Sequence, residues 1–345
     1  MKTDTALLLV GSYMNAGDGG LRAYAFDTDT PDIRYLYDIP VGNASYMAVS
    51  AKGVVYAVTE SDTENSLLTA FRVNSDGATI ISRVETGANS PCYVAVTPGG
   101  RFVVTANYGD GSIAVFPIKE DGAAGECSQR IVFSGSGPFP RRQDCSRIHC
   151  VSFTPDNRFM LINDLGGDCI YGFRLLTDSP RPIGDVPDFT VRLQPGSGPR
   201  HIVFNRSGDT AYLINEISDT VVTLRYDGNT LAPLQYIRAN TAEAHGAGDI
   251  CLSADGRHLF ASLRLKNDGI ATFRVSDDNG MLTYVGHTPT GKHPRNIHRH
   301  GNLLAVSCKD SGRVEMYAET DGRLSLIKTI AQPMSVFSTL IEADI

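Results

Sequence analysis

The residues of this sequence best suited to acid–base chemistry and to anion binding stand at the ends of short apolar segments. The starts of some segments carry His149, Arg200, His201, Asp249 and Arg295. The ends of others carry Glu60, Asn107, Tyr108, Asp164, Asn215, Glu216, Arg264 and Lys309. Histidine and glutamate can exchange protons near neutral pH, whereas arginine, lysine and amides bind oxygen-rich groups. Gathered in one place, such a set would suit an anionic or oxygen-rich small molecule.

These apolar segments belong to a unit that repeats about every fifty residues. Each unit has an apolar strand, a tight turn, a second strand, a polar corner, and a third strand that ends near an acidic-Gly turn. Copies occupy residues 94–122, 151–175, 202–228 and 250–280. The tight-turn residues lie 45 to 57 positions apart and are Gly53, Gly100, Asn157, Gly208, Gly256 and Gly301. Several short strands at this period predict a β-propeller, and six internal turns in a closed ring favour seven blades.

The two ends of the chain are predicted to close that ring. The segment LLLVGSY (7–13) matches the second strand of the other units, and SVFSTLI (335–341) matches an inner strand. Their pairing would remove the exposed sheet edges of an open array. No long stretch has 3.6-residue apolar periodicity, so helices should be few. We therefore expect one all-β domain over residues 1–345, a seven-bladed β-propeller closed by pairing of its C-terminal strand with the N-terminal blade.

The topology also predicts where the polar residues meet. Inner and second strands are antiparallel neighbours, so the start of one and the end of the other lie on the same face of the disc. The residues expected to bind substrate at this mouth of the channel are His201, Asn107, Asp164, Asn215, Arg295 and Lys309. Structural alternatives stay open: Asn107 and Asp164 as turn residues, Arg200 as the ion-pair partner of Glu216 on the rim, and His149 as a buried structural histidine.

Two segments interrupt the repeat. Residues 134–147 form a Pro/Gly/Arg-rich insertion before an inner strand, and residues 178–199 are Pro-rich and lengthen the outer part of one blade. Long loops in compact domains often carry function. The alternative for each segment is a solvated connector.

Composition excludes several classes of partner. The net charge is −7, the pI is near 5.6 and no Lys/Arg run occurs, so we expect no nucleic-acid partner. The run ALLLV (6–10) is too short for a signal-peptide core, and no segment reaches the length of a membrane span. The seven cysteines are scattered without a CxxC pair, which favours a reducing cytoplasm. We expect a monomer or a weak homo-oligomer.

No metal or cofactor signature is visible. His293, His298 and His300 surround one strand pair but lack a partnering set of ligands. The sequence has no GxSxG, no P-loop and no dinucleotide fingerprint. We therefore expect no metal and no cofactor.

Several segments together resemble one family, the seven-bladed propeller lactonases. This family contains the bacterial propeller-type 6-phosphogluconolactonases and the fungal carboxy-cis,cis-muconate cyclase. The similarity runs over essentially the whole chain. Its most specific part is the pairing of GPRH with NE in the first of these segments: GSGPRHIVFNRSGDTAYLINEISDTV (196–221), SADGRHLFASLRLKNDGIATF (253–273), LLLVGSYMNAGDGGLRAYAFD (7–27), VTANYGDGSIAVFPI (104–118) and DLGGDCIYGF (164–173).

The resemblance implies a metal-independent enzyme that acts on lactones at the channel mouth. The positions that match the family's proposed catalytic set are His149, Glu216, Arg200 and Arg264. The chain departs from the family pattern in four places: Cys92 replaces a common His or Thr, Lys309 replaces a common Gln, extra residues follow Arg264, and the insertion precedes His149. These departures bear on the choice of substrate.

Lactone hydrolysis is accordingly the expected reaction, with 6-phosphogluconolactone or a related aldonolactone as substrate. Glu216 or His149 would be the general base. Two arginines of the set would hold the oxyanion or a substrate carboxylate, and Arg295 and Lys309 are candidates for a phosphate or a second carboxylate. One alternative is a cycloisomerase that acts on a muconate-like dicarboxylate. The other is a non-catalytic interaction scaffold, which the absence of tryptophan disfavours.

Overall fold

The computed structural model, described for residues 5–27, 32–63, 66–176, 178–240 and 242–342, contains seven four-stranded antiparallel sheets. The first fourteen strands are β1 (Thr5–Ser12), β2 (Leu21–Asp27), β3 (Ile33–Ile39), β4 (Ala44–Val49), β5 (Val55–Thr59), β6 (Leu67–Val73), β7 (Ala78–Glu85), β8 (Pro91–Val96), β9 (Phe102–Asn107), β10 (Ser112–Pro117), β11 (Gln129–Val132), β12 (Ile148–Phe153), β13 (Phe159–Asp164) and β14 (Cys169–Arg174). The others are β15 (Phe189–Arg192), β16 (Pro199–Phe204), β17 (Thr210–Asn215), β18 (Thr220–Tyr226), β19 (Leu231–Arg238), β20 (Ala247–Leu252), β21 (His258–Leu263), β22 (Gly269–Val275), β23 (Leu282–Pro289), β24 (Pro294–His300), β25 (Leu303–Cys308), β26 (Arg313–Thr320), β27 (Arg323–Ala331) and β28 (Ser335–Glu342).

These sheets are the blades of a propeller, as the repeat predicts. Six blades are built from four consecutive strands each, from β4–β7 to β24–β27, and the remaining blade has the order β28-β1-β2-β3. The first strand of each blade contacts the first strands of the neighbouring blades around the ring, so these seven strands surround a central channel. Among the described residues the only helix is a 3₁₀ turn at Lys309–Ser311. The predicted all-β, seven-bladed fold is confirmed.

The ring closes by the predicted strand pair. β28 lies antiparallel beside β1, with Leu7 opposite Ile341 and Leu9 opposite Thr339. The blade that contains both ends of the chain therefore gains its inner strand from the C-terminal segment. Every blade then packs between two others, because its inner strand contacts the inner strands of both neighbours.

Burial explains why these segments form strands at their positions. The second strands β9, β13, β17 and β21 are buried at every residue, because blades cover both of their faces. The outer strands β19 and β23 are mostly exposed or half-buried. The tight turn before each of these second strands needs a left-handed residue. Gly208 supplies it at φ 79° and Asn157 at φ 59°, the latter a residue type that tolerates this conformation.

Candidate active site

Every inner strand carries a β-bulge close to its start. At each bulge the inner strand has residues without a partner in the register of the second strand. These residues are Ser45, Cys92, His149, Arg200, Arg295 and Val336 in six blades, and Gly248 with Asp249 in the seventh. A bulge takes one side chain out of the normal alternation, and bulges are frequent beside active sites. The repeat therefore places His149, Arg200 and Arg295 at one level of the channel.

A second ring of side chains comes from the residue that follows each second strand. Its members are Tyr13, Glu60, Tyr108, Leu165, Glu216, Arg264 and Lys309. Their backbone N–H groups make the same hydrogen bond in all seven blades, to a carbonyl just before the inner strand. Glu216 N, for example, donates to Gly198 O at 2.7 Å, and Arg264 N donates to Gly246 O at 3.2 Å. These positions are equivalent, so Glu216 and Arg264 lie beside the bulge ring.

The two rings meet in a cluster around the Glu216 carboxylate. Arg200 Nε lies 2.8 Å from Oε2 of Glu216, and Arg264 Nη2 lies 2.9 Å from the same oxygen. His149 Nε2 is 3.9 Å from it. Arg142 Nη2 pairs with the other oxygen, Oε1. The four residues that the family resemblance singled out are therefore in contact through one carboxylate.

Burial and charge set the proton affinities in this cluster. Burial by itself would raise the pKa of Glu216, but Arg264 and Arg200 outweigh it and hold that pKa well below its usual range. The pKa of His149 is well below 6.5, because burial and Arg200 both disfavour the imidazolium. Burial also lowers the pKa of Arg264 to about 10. Around pH 7 the cluster therefore contains an ionised glutamate, charged arginines and a neutral imidazole.

The His149 ring is held on several sides. Its Nδ1 lies 3.8 Å from Sγ of Cys92, and its ring makes edge contacts with Tyr108 at 5.7 Å and with His201 at 5.4 Å between centroids. These contacts leave Nε2 on the Glu216 side. Cys92, one of the departures from the family pattern, is thus a direct neighbour of the imidazole.

His201 lies beneath Arg200 rather than beside Glu216. Arg200 Nη1 is 3.4 Å from Nδ1 and 3.2 Å from Nε2 of His201, so it sits over the ring face instead of in line with one nitrogen. Asp249 accepts a hydrogen bond from Nδ1 at 2.7 Å, which fixes the ring. Burial and Arg200 lower the pKa of His201 to about 4. The neutral ring supports the Arg200 guanidinium from below.

Arg295 and Lys309 already have acidic neighbours. Arg295 Nη2 is 3.4 Å from Oε2 of Glu60, which also accepts the Tyr13 hydroxyl at 2.8 Å. The guanidinium lies over the Tyr13 ring, 5.3 Å from its centroid. Lys309 Nζ pairs with Asp310 at 2.6 Å. Their predicted role in binding a phosphate or carboxylate stays a prediction.

Three predicted substrate ligands make their hydrogen bonds inside their own blades. Asn107 Nδ2 donates to Ser112 Oγ at 3.0 Å, and Asn215 Nδ2 donates to Thr220 Oγ1 at 3.0 Å. Asp164 accepts hydrogen bonds from Ser146 Oγ, the Arg147 N–H and the Gly167 N–H. All three are the last residues of their second strands, so each directly precedes a member of the second ring of side chains. Neighbouring residues of a strand point their side chains in opposite directions. Their predicted substrate contacts are untested.

A layer of rings closes the channel below the cluster. Tyr46 stacks on Tyr93 at 4.0 Å and contacts Phe337 at 4.3 Å, while His201 lies 5.2 Å from Tyr93. All four side chains come from inner strands, one residue after the bulge. Beyond this layer, the channel widens into a cavity of about 490 Å³. This layer of rings lies between the Glu216 cluster and that cavity.

The sequence reasoning missed Arg142 as a site residue. It belongs to the 134–147 insertion, which has no counterpart in the repeat, so no equivalent position in another blade could point to it. Tyr108 and Glu60 stood in the predicted ring but were not selected as site residues. Their place directly after a second strand is the signal that could have identified them.

Two features, a cluster of metal ligands and a membrane-spanning helix, are absent from the described part of the chain. There, no three His, Cys, Asp or Glu side chains come together as a group that could hold a metal ion. No helix within the described ranges is long and apolar enough to cross a membrane. The predicted independence from metals awaits a direct test.

Comparisons with known proteins define the class. Residues 7–338 match the model of the lactonase family of seven-bladed β-propellers. A 6-phosphogluconolactonase from Formosa agariphila is 30% identical over 322 residues, which cover 90% of this chain and 91% of that protein. A 6-phosphogluconolactonase from Bacillus subtilis is 28% identical over 95% of this chain and 96% of its own length.

Solved structures agree with this assignment. A Bacteroides fragilis protein, described as a candidate 6-phosphogluconolactonase, superposes with a TM-score of 0.94 at 37% identity and 99% coverage of both chains. A periplasmic gluconolactonase from Pseudomonas aeruginosa superposes with a TM-score of 0.91 at 27% identity, covering 98% of this chain and 99% of that one.

The fold and the charged mouth define a seven-bladed propeller enzyme of the lactonase type, a class of ester hydrolases. The chain belongs to the lactonase family of seven-bladed β-propellers.

Proposed function

We propose that this chain hydrolyses the ester bond of a sugar lactone at the channel mouth, without a metal ion, and that 6-phosphogluconolactone or a related aldonolactone is the substrate. One observation carries the proposal: His149, Arg200 and Arg264 converge on Glu216, in a chain whose relatives include 6-phosphogluconolactonases. The proposed cellular location remains the cytoplasm.

His149 is the general base in this proposal. Glu216 is ionised but holds protons poorly, because its arginine partners lower its pKa far below neutrality. A base of that strength gains little by taking a proton from water. The His149 imidazole is neutral at pH 7 and has Nε2 3.9 Å from Glu216. Glu216 then serves as the counter-ion that stabilises the imidazolium formed during attack.

Each of the two buried arginines, Arg200 and Arg264, has one terminal nitrogen available to donate a hydrogen bond to the oxyanion. Arg200 uses Nε and Nη1 in its hydrogen bonds to the protein, and Arg264 uses Nε and Nη2. Among the described residues, no hydrogen bond or ion pair uses Nη2 of Arg200 or Nη1 of Arg264. Both guanidinium groups are fixed by backbone carbonyls, so they need little reorganisation when charge develops on the substrate oxygen. Fixed donors of this kind lower the barrier to acyl transfer.

The reaction then balances without another reactant. The water oxygen bonds to the lactone carbonyl carbon while His149 takes the water proton, and negative charge moves to the carbonyl oxygen near Arg200 and Arg264. When the tetrahedral intermediate collapses, the ring C–O bond breaks and His149 returns the proton to the leaving alkoxide. The product is the open hydroxy acid.

A pH-indicator hydrolysis screen tests the proposal. The substrates are freshly generated 6-phosphogluconolactone, an unphosphorylated aldonolactone and an aldarolactone, each with and without EDTA and with the enzyme-free rate subtracted. The His149→Gln variant is the matched control. Acid release that resists EDTA and is lost in this variant supports a metal-free lactonase.

Two other outcomes would refute the proposal. If no lactone is hydrolysed but an unsaturated dicarboxylate is consumed without uptake of water, the chain is a cycloisomerase. If the protein turns over neither class and mutations at the channel mouth change only its capture of another protein, it is an interaction scaffold.

A further inference from the structure

The 134–147 segment is built into the channel mouth. Gln143 is fully buried and donates from Nε2 to Leu165 O at 2.9 Å and to Asp168 Oδ1 at 2.6 Å. The Phe139 ring packs against His245, with centroids 4.9 Å apart. This anchoring gives the segment a defined position over the mouth, so the alternative of a solvated connector does not describe it.

Arg142 reaches across the mouth from this segment to the next blades. Nη1 donates to His245 O at 2.6 Å, and Nη2 pairs with Oε1 of Glu216. Its side chain is 26% exposed, whereas that of Arg200 is only 2% exposed. Arg142 is therefore the arginine of the Glu216 cluster that an incoming molecule meets first.

Arg147, at the other end of the segment, packs on a ring neighbour of His149. Its guanidinium sits over the Tyr108 ring, 5.3 Å from the centroid, and the Tyr108 ring in turn contacts His149. Nη1 donates to Gly109 O at 3.1 Å, and Nη2 is 3.2 Å from Asp144. Nε is buried and has no hydrogen-bond partner among the described residues. The insertion thus brings Arg142 to Glu216 and Arg147 to Tyr108, and both of these residues are neighbours of His149.

The guanidinium groups around this mouth differ in their access to solvent. They come from Arg142, Arg147, Arg200, Arg264 and Arg295. The side chains of Arg142 and Arg147 are 26% and 19% exposed, whereas those of the other three are 2%, 5% and 15% exposed. A phosphate monoester carries about −1.5 to −2 at pH 7 and pairs best with guanidinium groups that it can reach.

We propose that Arg142 and Arg147 of the 134–147 segment form a subsite for the dianionic group of the substrate, most simply a phosphate monoester. The proposal rests on the proposed lactonase function and names the residues that select its substrate. It differs from the sequence-based assignment of this role to Arg295 and Lys309. Arginine suits the task because its planar fork can donate two hydrogen bonds to a phosphate at once.

Binding of reaction products tests the subsite independently of turnover. Titration calorimetry compares 6-phosphogluconate, glucarate and gluconate with the wild type and with Arg142→Gln and Arg147→Gln. We expect each variant to weaken 6-phosphogluconate binding roughly ten- to a hundredfold, the range for a lost charge-assisted hydrogen bond, and to leave gluconate binding within about threefold. Arg141→Gln is the matched control, because Arg141 is the exposed neighbour in the same segment.

Kinetics on the same proteins gives a second test. The Arg142 and Arg147 variants should lower kcat/KM for the phosphorylated lactone about tenfold more than for the neutral lactone, mainly by raising KM. Arg142→Lys should bind the phosphorylated ligand more tightly than Arg142→Gln does, since lysine keeps the positive charge but lacks the two parallel donors of a guanidinium group. An equal loss on both lactones would mean that Arg142 acts only by holding Glu216, and it would overturn the subsite.

Two further results would also refute the subsite. Loss of the phosphate preference in Lys309→Gln, but not in the Arg142 and Arg147 variants, would assign the anion to Lys309. Glucarate binding that weakens more than that of 6-phosphogluconate would assign the subsite to a second carboxylate. Wild-type protein that binds 6-phosphogluconate but turns over no lactone would refute the proposed function alone.

Discussion

The negative charge of Glu216 should be indispensable to the stability of the channel mouth. Its Oε2 faces Arg200 Nε at 2.8 Å and Arg264 Nη2 at 2.9 Å, and the two arginine side chains are only 2% and 5% exposed. Glu216→Gln keeps the side-chain volume and removes the charge, so both buried cations lose their counter-ion. Removing one partner of a buried ion pair costs about 3–5 kcal/mol. Arg142 adds little to this cost, because it is partly exposed and can turn to solvent.

This loss of stability translates into a measurable shift in melting temperature. The entropy of unfolding is about 2.1 cal/mol/K per residue, or roughly 0.7 kcal/mol/K for 345 residues. A loss of 3–5 kcal/mol therefore lowers Tm by about 4–7 °C. Thermal melts followed by circular dichroism at pH 7 measure it. The matched control is Glu243→Gln, whose ion pair with Arg238 is largely exposed and should contribute less than about 1 kcal/mol.

A double variant separates lost charge compensation from any general disturbance of the site. Adding Arg264→Met to Glu216→Gln removes one of the stranded cations and should recover part of the lost Tm, because the penalty comes from an unpaired buried charge. If Glu216→Gln melts at the wild-type temperature, or if the double variant is less stable than the sum of both single variants, then Glu216 does not neutralise desolvated arginines and our reasoning about the cluster is wrong.

Four further predictions concern the histidines and metal dependence. His149→Gln should lower kcat for the lactone about 10²- to 10⁴-fold, as expected for loss of a general base, without a comparable drop in Tm. Because the base must be unprotonated and the pKa of His149 lies well below 6.5, kcat/KM of the wild type should stay level from pH 8 to 6.5 and fall only at lower pH; an acidic limb at 6.5 or above would contradict His149 as the base. Activity should be unchanged after prolonged dialysis against EDTA, and recovery only on adding a divalent metal would disprove metal independence. The pKa of His201 in the folded protein, about 4, lies below the ordinary 6.5 of histidine. The contribution of the neutral ring to stability is therefore complete above pH 6.5 and is lost as the pH falls towards 4. Urea titrations at pH 7 and at pH 4 should show that His201→Gln loses roughly 3 kcal/mol less stability between these pH values than the wild type does.

The sequence alone determined the architecture of this protein. Apolar alternation, tight turns at residues such as Gly208 and Asn157, and the repeat of about fifty residues are short-range properties, and each blade expresses them locally. Ring closure followed from the same pattern, because only one segment lacked a partner strand at each end of the chain. Strand topology further located His149, Arg200, Glu216 and Arg264 near one mouth, since equivalent positions in a propeller must lie on the same face.

The tertiary structure decided which side chains within that mouth meet. A one-residue difference in register separates Glu216, which joins the cluster, from Asn215, which bonds within its own blade. The bulges that take inner-strand residues such as Arg200 out of the normal alternation arise from pairing between strands. Arg142 contacts Glu216 across 74 positions of sequence and comes from an insertion outside the repeat. Such a contact exists only after the ring has closed and the segment has packed, so no spacing rule along the chain could have predicted it.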